Sequence, residues 1–367
     1  MKKVVVQVVQ HLAPGGIECM VLDLLKHATA QQQVHVISLE GEPEQLKKWP
    51  RLAPFADRLH FLAKPAGISP GLVWQVRQLI RQLKADVVHT HHIGPLLYGG
   101  TAARLASVPV LLHTEHDAWH LKDPKRLRLA KHLMSVLHPQ VVADSAQVQR
   151  HLHSMLPACQ SQVILNGIDV QHFKPQSKSR SRVRLGLPLV DKVRIVGCAA
   201  RLEEVKGHRY LLEALFRLPN NVHVALAGHG SLHETLHAQA EELGIEHRVH
   251  FLGHVEQMDD FYRALDVFCL PSLNEGMPLS LLEAQASGVA VVATKVGGVA
   301  EAVCPHSGLL VKPASAQALA DALYRQLQRK IKLDPRPFVM QGKRVQDMVL
   351  AYASLSDSLL KGQAYVG

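Results

Sequence analysis

Val193-Arg194-Ile195-Val196-Gly197-Cys198-Ala199-Ala200, followed by Arg201-Leu202-Glu203-Glu204-Val205-Lys206-Gly207-His208, decides the architecture. The first part is an apolar run of strand length, and the second is a polar loop carrying two cations. A strand with one wet face alternates, whereas a strand covered on both faces reads as a near-continuous apolar run. This run therefore points to a buried strand of a parallel sheet. Outward from it the scheme repeats. Downstream lie Val222 to Ala227, Val249 to Leu252, Val267 to Leu270, Val289 to Ala293 and Gly308 to Val311. Upstream lie Val4 to Val9, Val34 to Ser38, Asp86 to His89, Val108 to His113, Val141 to Asp144 and Val163 to Leu165, with helical spacing over Ile17 to His27 and Leu72 to Leu83 between several of them. Strand alternating with helix gives a doubly wound α/β domain with a parallel sheet. Two Rossmann-like domains of this kind, with strand ends facing across a cleft, are the expected fold.

The length of 367 residues suits two domains of ordinary size, each able to bury a full core, and 47% hydrophobic with 20% charged residues is a soluble globular composition. The basic, Pro/Ser-containing stretch Lys174 to Arg182 is the best linker candidate. Boundaries are therefore placed at 1–173, 174–342 and 343–367, the last covering the helical spacing of Val345, Met348, Val349, Tyr352, Leu355 and Leu359. Five scattered cysteines without a CxxC argue for reduced, buried thiols. The net charge of +10 is compatible with a phosphorylated substrate, nucleic acid or an anionic surface. Nucleic acid is not expected as a partner, because there is no Cys/His finger and no basic stripe interleaved with aromatics. The densest basic stretch, Lys122 to His132, reads either as an amphipathic helix lying on anionic lipid or as a solvated helix face. No apolar stretch approaches the roughly 20 residues that span a bilayer, and Met1-Lys2-Lys3-Val4 runs into a strand without a cleavage pattern. A cytoplasmic protein, peripheral on the inner face of the membrane if the basic helix touches lipid, is the expectation.

The chemistry concentrates in Asn274-Glu275-Gly276-Met277-Pro278-Leu279-Ser280-Leu281-Leu282-Glu283-Ala284, where two glutamates stand eight positions apart across a turn that opens a helix. Pro278 suits the first helical position, which leaves Glu275 and Gly276 in the preceding loop, near free backbone N–H groups that attract anions or hydroxyl oxygens. Glu283 falls inside the helix, off the apolar stripe of Leu279, Leu282 and Ala286. One carboxylate from the loop and one from the helix can grip a polyhydroxyl ligand. Taken alone, the pair reads more readily as a solvated first-turn Glu and a helix-surface Glu. Arg201 and Lys206 add two cations of the kind that neutralise a departing diphosphate, Arg as a fork and Lys as a point charge. Gly15 and Gly16 close the first strand–helix turn and allow close approach to the backbone. No GxGxxG is present, so a nicotinamide reading is weak. Gly228-His229-Gly230 reads as a turn. Histidine clusters at His89-Thr90-His91-His92 and His113-Thr114-Glu115-His116-Asp117 stand at expected strand ends; a zinc site is conceivable there, but no spacing matches a metal-ligand signature, and His89, His91 and His92 read as satisfied structural histidines.

These residues carry a resemblance. The chain resembles retaining glycosyltransferases of family 4, whose fold is the type B, two-Rossmann-domain arrangement. Five landmarks match in order: Pro14-Gly15-Gly16-Ile17-Glu18; Asn166-Gly167-Ile168-Asp169 with Phe173 and Pro175; Arg201 with Lys206-Gly207; Phe251-Leu252-Gly253-His254-Val255; and the two-glutamate segment running on to Gly288 and Gly297-Gly298. Ala290 departs from the proline common in relatives.

The resemblance implies an acceptor-side first domain, a donor-binding second domain and a last helix that crosses back to the first. It implies transfer of a hexose from a nucleoside diphosphate sugar, a UDP-sugar favoured, to a glycan or polyprenyl-linked oligosaccharide of a bacterial surface polymer. It assigns His116 and Glu275 to the reacting sugar. Gly15, Gly16, Arg201, Lys206, Val255, Gly276, Met277, Pro278, Leu279 and Glu283 bind the donor, with Glu283 on the ribose and Val255 near the base. No cofactor and no metal are expected, since two cations serve the diphosphate. Retention ordinarily needs a carboxylate behind the sugar. None is obvious here, and the resemblance implies a front-face route in which the leaving phosphate helps deprotonate the acceptor. An epimerase or phosphorylase on the same fold, and a silent glycan- or membrane-binding homologue, are the rival readings. Intact Arg201, Lys206, Glu275 and Glu283 speak against the silent copy.

Overall fold

The computed structural model describes residues 2–331 and 333–364. The chain forms two compact units, 1–167 with 345–367, and 168–344.

The sheet of the first unit contains β1 (Lys3–Val9), β2 (Gln32–Ser38), β3 (Leu59–Phe61), β4 (Val87–His91), β5 (Val110–Glu115), β6 (Gln140–Ala143) and β7 (Ser161–Val163), in the order β3-β2-β1-β4-β5-β6-β7. Every pairing is parallel. Val6 and Val8 in β1, Val36 in β2 and Val88 in β4 are wholly buried, as the unbroken apolar runs require of strands covered on both faces. Each such side chain contributes about 1.5–3 kcal/mol of burial. The helix Val345–Ala364 belongs to this unit. Tyr352 Oη lies 2.9 Å from Thr114 Oγ1 of β5, and Lys3 Nζ reaches Ser356 Oγ at 2.7 Å and Asp357 at 2.5 Å.

The second unit has β8 (Arg194–Ala199), β9 (Val222–Ala227), β10 (Val249–Gly253), β11 (Val267–Leu270), β12 (Val291–Thr294) and β13 (Leu309–Val311), in the parallel order β10-β9-β8-β11-β12-β13. Both sheets are those of the expected fold class. The short strand β3 was not among the runs read from the sequence. Its three residues, Leu59-His60-Phe61, are too few to show a period.

The stretch read as a linker is instead a helix of the second unit, Lys178–Arg184, capped by Ser177. Three of its four cations, Lys178, Arg182 and Arg184, are spent on two acidic side chains. Lys178 Nζ and Arg182 Nη2 bind Asp266 at 2.8 and 2.6 Å, while Ser181 and Arg184 bind Asp260, each at 2.8 Å. The division between units falls after Gly167, not after Phe173. Residues 168–173 are tied to the second unit by Ile168 N donating to Lys343 O, by Arg336 donating to the carbonyls of Val170 and Phe173, and by Arg263 donating to His172 O.

Candidate active site

In an open parallel sheet, ligands bind beyond the carboxyl ends of the strands where the winding reverses. In the second unit the chain leaves β8 toward β9 and β10, then returns to place β11 on the other side of β8. The loops after β8 and β11 therefore flank the reversal. They are the two that carry Arg201 with Lys206, and Glu275.

These loops are built tightly against each other. Gly207 has φ +66°, and a Cβ there would lie 2.2 Å from Pro271 O. Leu273 N donates to Val205 O at 2.8 Å. Gly297 has φ +46°, and a Cβ there would fall 1.8 Å from Glu275 O, so only glycine lets the loop after β12 close over the glutamate backbone. Gly298 N donates to Gly276 O at 3.0 Å, and Thr294 Oγ1 donates to Ser272 O at 2.5 Å. Lys206 Nζ meets Glu275 Oε1 at 2.7 Å, with the glutamate side chain 9% exposed, and Ser272 Oγ donates to the same oxygen at 2.7 Å. A cation and a carboxylate thus share one partly desolvated position at the winding reversal. Beneath them burial pushes the Cys198 thiol up to about 12, despite Lys206 nearby, so it stays a neutral thiol and is no nucleophile. Arg201 is exposed just after β8.

Pro278 is the N-cap of the helix Leu279–Ala286, with ψ 120°, one position earlier than the first helical place expected of it. Met277, Pro278 and Leu279 are buried. Leu279, Leu282 and Ala286 are buried, but so are Leu281, Ala284 and Gln285, so the helix is covered on most sides rather than along one stripe, and Glu283 is half-buried. The Tyr262 hydroxyl donates to Glu283 Oε2 at 2.6 Å. Val255 follows β10. Its loop is pinned by His229, whose Nε2 accepts from His254 N at 2.9 Å. His229 can sit there because Gly228 and Gly230 press on backbone: Cβ atoms on them would lie 2.1 Å from Ala200 O and 2.4 Å from Leu202 O. The Gly-His-Gly stretch thus does more than turn the chain. Ser272, Thr294, Tyr262 and His229 escaped the sequence reading, and only the paired glycines around His229 gave any sign.

In the first unit the winding reverses between β1 and β4. Gly15 and Gly16 follow β1 and open the helix Gly16–Lys26. A Cβ on Gly15 would strike the Glu18 carboxylate at 2.3 Å, whereas one on Gly16 meets nothing. His116, just beyond β5, is 7% exposed and both of its ring nitrogens have neighbours. Nε2 lies 3.0 Å from His91 Nδ1 and Nδ1 lies 3.7 Å from Asp144. His91 in turn reaches Gln7 Oε1 at 2.8 Å, so a buried chain fixes the ring orientation. His89 is satisfied by Thr114 Oγ1 at 2.7 Å. Burial pushes the Glu115 carboxyl up, but His113, His92 and His120 around it outweigh that, and it is held well below the usual carboxylate range. Among the described residues, His92, Glu115 and His120 form the group able to hold a metal ion.

Residues 14–172 match Glycosyltransferase Family 4, and residues 180–336 match Glycosyl transferases group 1. The chain is 33% identical over 301 residues to a D-inositol 3-phosphate glycosyltransferase of Corynebacterium urealyticum, covering 74% of this chain and 67% of that one. It is 28% identical over 320 residues to the lipopolysaccharide core biosynthesis mannosyltransferase LpsB of Rhizobium meliloti, covering 84% and 82%. Anabaena Alr3699/HepE, solved in complex with UDP-glucose, superposes with a TM-score of 0.83 at 25% identity, covering 97% of this chain and 99% of that one. Ordered landmarks, two parallel sheets and these likenesses agree, and the chain belongs to glycosyltransferase family 4, with the type B fold.

Proposed function

We propose that this glycosyltransferase moves a hexose from a nucleoside diphosphate sugar, UDP-sugar favoured, to a hydroxyl of a glycan or polyprenyl-linked oligosaccharide in surface-polymer synthesis, with retention and without a metal at the diphosphate. The observation that carries this reading is the Lys206–Glu275 contact at 2.7 Å at the winding reversal, with Arg201 on the same loop as Lys206. There a diphosphate finds its cations and the adjoining sugar finds a hydroxyl acceptor. The HepE complex with UDP-glucose supports the donor class, and LpsB supports the surface-glycan setting.

In this reading Lys206 and Arg201 neutralise the charge that develops on the leaving diphosphate, aided by the backbone amides at Gly276 to Leu279. Glu275 accepts from sugar hydroxyls, Glu283 from the ribose with Tyr262 holding it, and the main chain near Val255 takes the base. Gly15 and Gly16 leave backbone open to the donor. His116 serves the anomeric neighbourhood, an assignment that rests on the family resemblance. The bond from the anomeric carbon to the diphosphate breaks as the acceptor oxygen bonds on the same face, and the leaving phosphate oxygen takes the acceptor proton. The helix Pro124–Leu137 exposes Lys125, Arg126, Arg128, Lys131 and His132, a cationic face suited to anionic lipid on the cytoplasmic side.

The test is slow hydrolysis of a panel of nucleotide sugars in buffer with and without Mg2+ or Mn2+, followed by NMR of the anomeric product. One UDP-sugar should lead, neither ion should raise turnover, and the first-formed product should keep the donor's anomeric configuration. Inversion, or an absolute need for either ion, refutes the corresponding part.

A further inference from the structure

We propose that the first unit holds a divalent transition-metal ion, of the Zn2+ class, between His92, Glu115 and His120, with Asp117 beside it. Each of the three brings a ligand atom to within 4.8 Å of the others. His92 Nδ1 lies 3.2 Å from Glu115 Oε1, and His120 Nδ1 lies 3.9 Å from the same oxygen. Zinc ligands at 2.0–2.2 Å in a tetrahedron are about 3.3–3.6 Å apart, so small side-chain shifts close the set. Asp117 Oδ1 is 3.1 Å from His120 Nδ1, and Asp117 Oδ2 is 3.9 Å from His92 Nε2. The carboxylate is thus placed to complete the coordination or to orient a ring from outside it.

A further observation favours an occupant over a self-contained ion pair. His92, the residue after β4, adopts φ 69° and ψ 168°, a backbone region that is essentially glycine-only. That conformation brings its imidazole to the glutamate at the end of the neighbouring strand. Two imidazoles and a carboxylate favour zinc and its neighbours over Mg2+, which prefers an all-oxygen shell. The ion would clamp the turn from Glu115 to His120, which contains His116. That consequence for His116 rests on the donor reading above, whereas metal binding itself does not.

The full-length chain, freed of any polyhistidine tag and washed with chelator, should take up one tight equivalent of Zn2+ against a chromophoric competitor. His92→Ala and His120→Ala should each weaken it more than about tenfold. His223→Ala, in a histidine pair of the second unit, should leave it unchanged. Zinc-edge X-ray absorption on the unaltered protein reads the ligand set without needing a variant to fold, and two imidazoles with light-atom ligands are expected. No tight equivalent, a sulfur ligand, or an equivalent that survives both histidine substitutions overturns the site. No nucleotide sugar is present in these measurements, so their failure leaves the transfer reading standing, and the reverse holds too.

Discussion

Glu275→Gln separates a catalytic carboxylate from a structural one. In the free enzyme Glu275 is paired with Lys206 at 2.7 Å and accepts from Ser272 Oγ at 2.7 Å, with side-chain exposures of 9% for the glutamate and 20% for the lysine. Gln keeps the shape and one acceptor oxygen, so the loop should survive. What goes is a charge-assisted bond, worth about 1.5–3 kcal/mol. If that bond is made to the sugar as it reacts, turnover falls roughly 10- to 150-fold. Affinity for the free nucleoside diphosphate should move the other way or not at all, because Lys206 loses its competing carboxylate and presents its full charge to phosphate. Stability should drop by about 1–2 kcal/mol, or some 2–8 °C in the melting of the second unit. The assay is steady-state transfer with the preferred donor, beside calorimetric titration of the diphosphate into the same preparation. A purely structural Glu275 would lose diphosphate affinity and turnover together. That outcome, or full activity in the variant, refutes the assignment.

Arg201→Ala and Lys206→Ala should each weaken nucleoside diphosphate binding by about 1.5–3 kcal/mol and lose most transfer, as calorimetry and turnover would show. Unchanged affinities would remove both from the site. Gly297→Ala should destabilise the second unit and displace Glu275, since its Cβ would lie 1.8 Å from that residue's carbonyl; a variant with native melting and turnover would contradict the packing. Vesicles rich in anionic lipid should sediment the protein at low salt and release it at high salt. Loss of Arg126 and Arg128 should abolish this, and equal recovery on neutral vesicles would leave the basic helix a solvated face. His208 offers a pH test, because burial, and then Lys206, lower its pKa to about 4 from an unfolded value of 6.5. The folded state therefore holds fewer protons than the unfolded one between those values. The contribution is fully present above pH 6.5 and is lost as pH falls toward 4, up to about 3 kcal/mol. Denaturant midpoints across that window should fall less in His208→Leu than in the parent, and parallel curves would place the proton elsewhere.

What the sequence allowed, and what it hid, follows from the range of the interactions. Buried parallel strands announce themselves locally, so Val222 to Ala227 and Val267 to Leu270 were read to the residue. Lys174 to Arg182 misled because a polar, basic composition describes a linker and a helix bound to acidic partners equally well. Asp266, which binds Lys178 and Arg182, comes more than eighty residues later. Glycines signalled the site loops, but not which backbone each one accommodates. Gly297 is legible as a turn, whereas its approach to Glu275 O depends on how two strand-to-helix loops stack. Least visible was the group of His92, Glu115 and His120. Its ligands come from the ends of two neighbouring strands and a following turn. Their meeting depends on the β4–β5 register, His91 opposite Thr114, and on a histidine in a backbone region that sequence assigns to glycine. Metal signatures are readable when one helix or one hairpin presents the ligands at fixed spacing. When strand pairing brings them together instead, spacing carries no information and the site emerges only with the sheet.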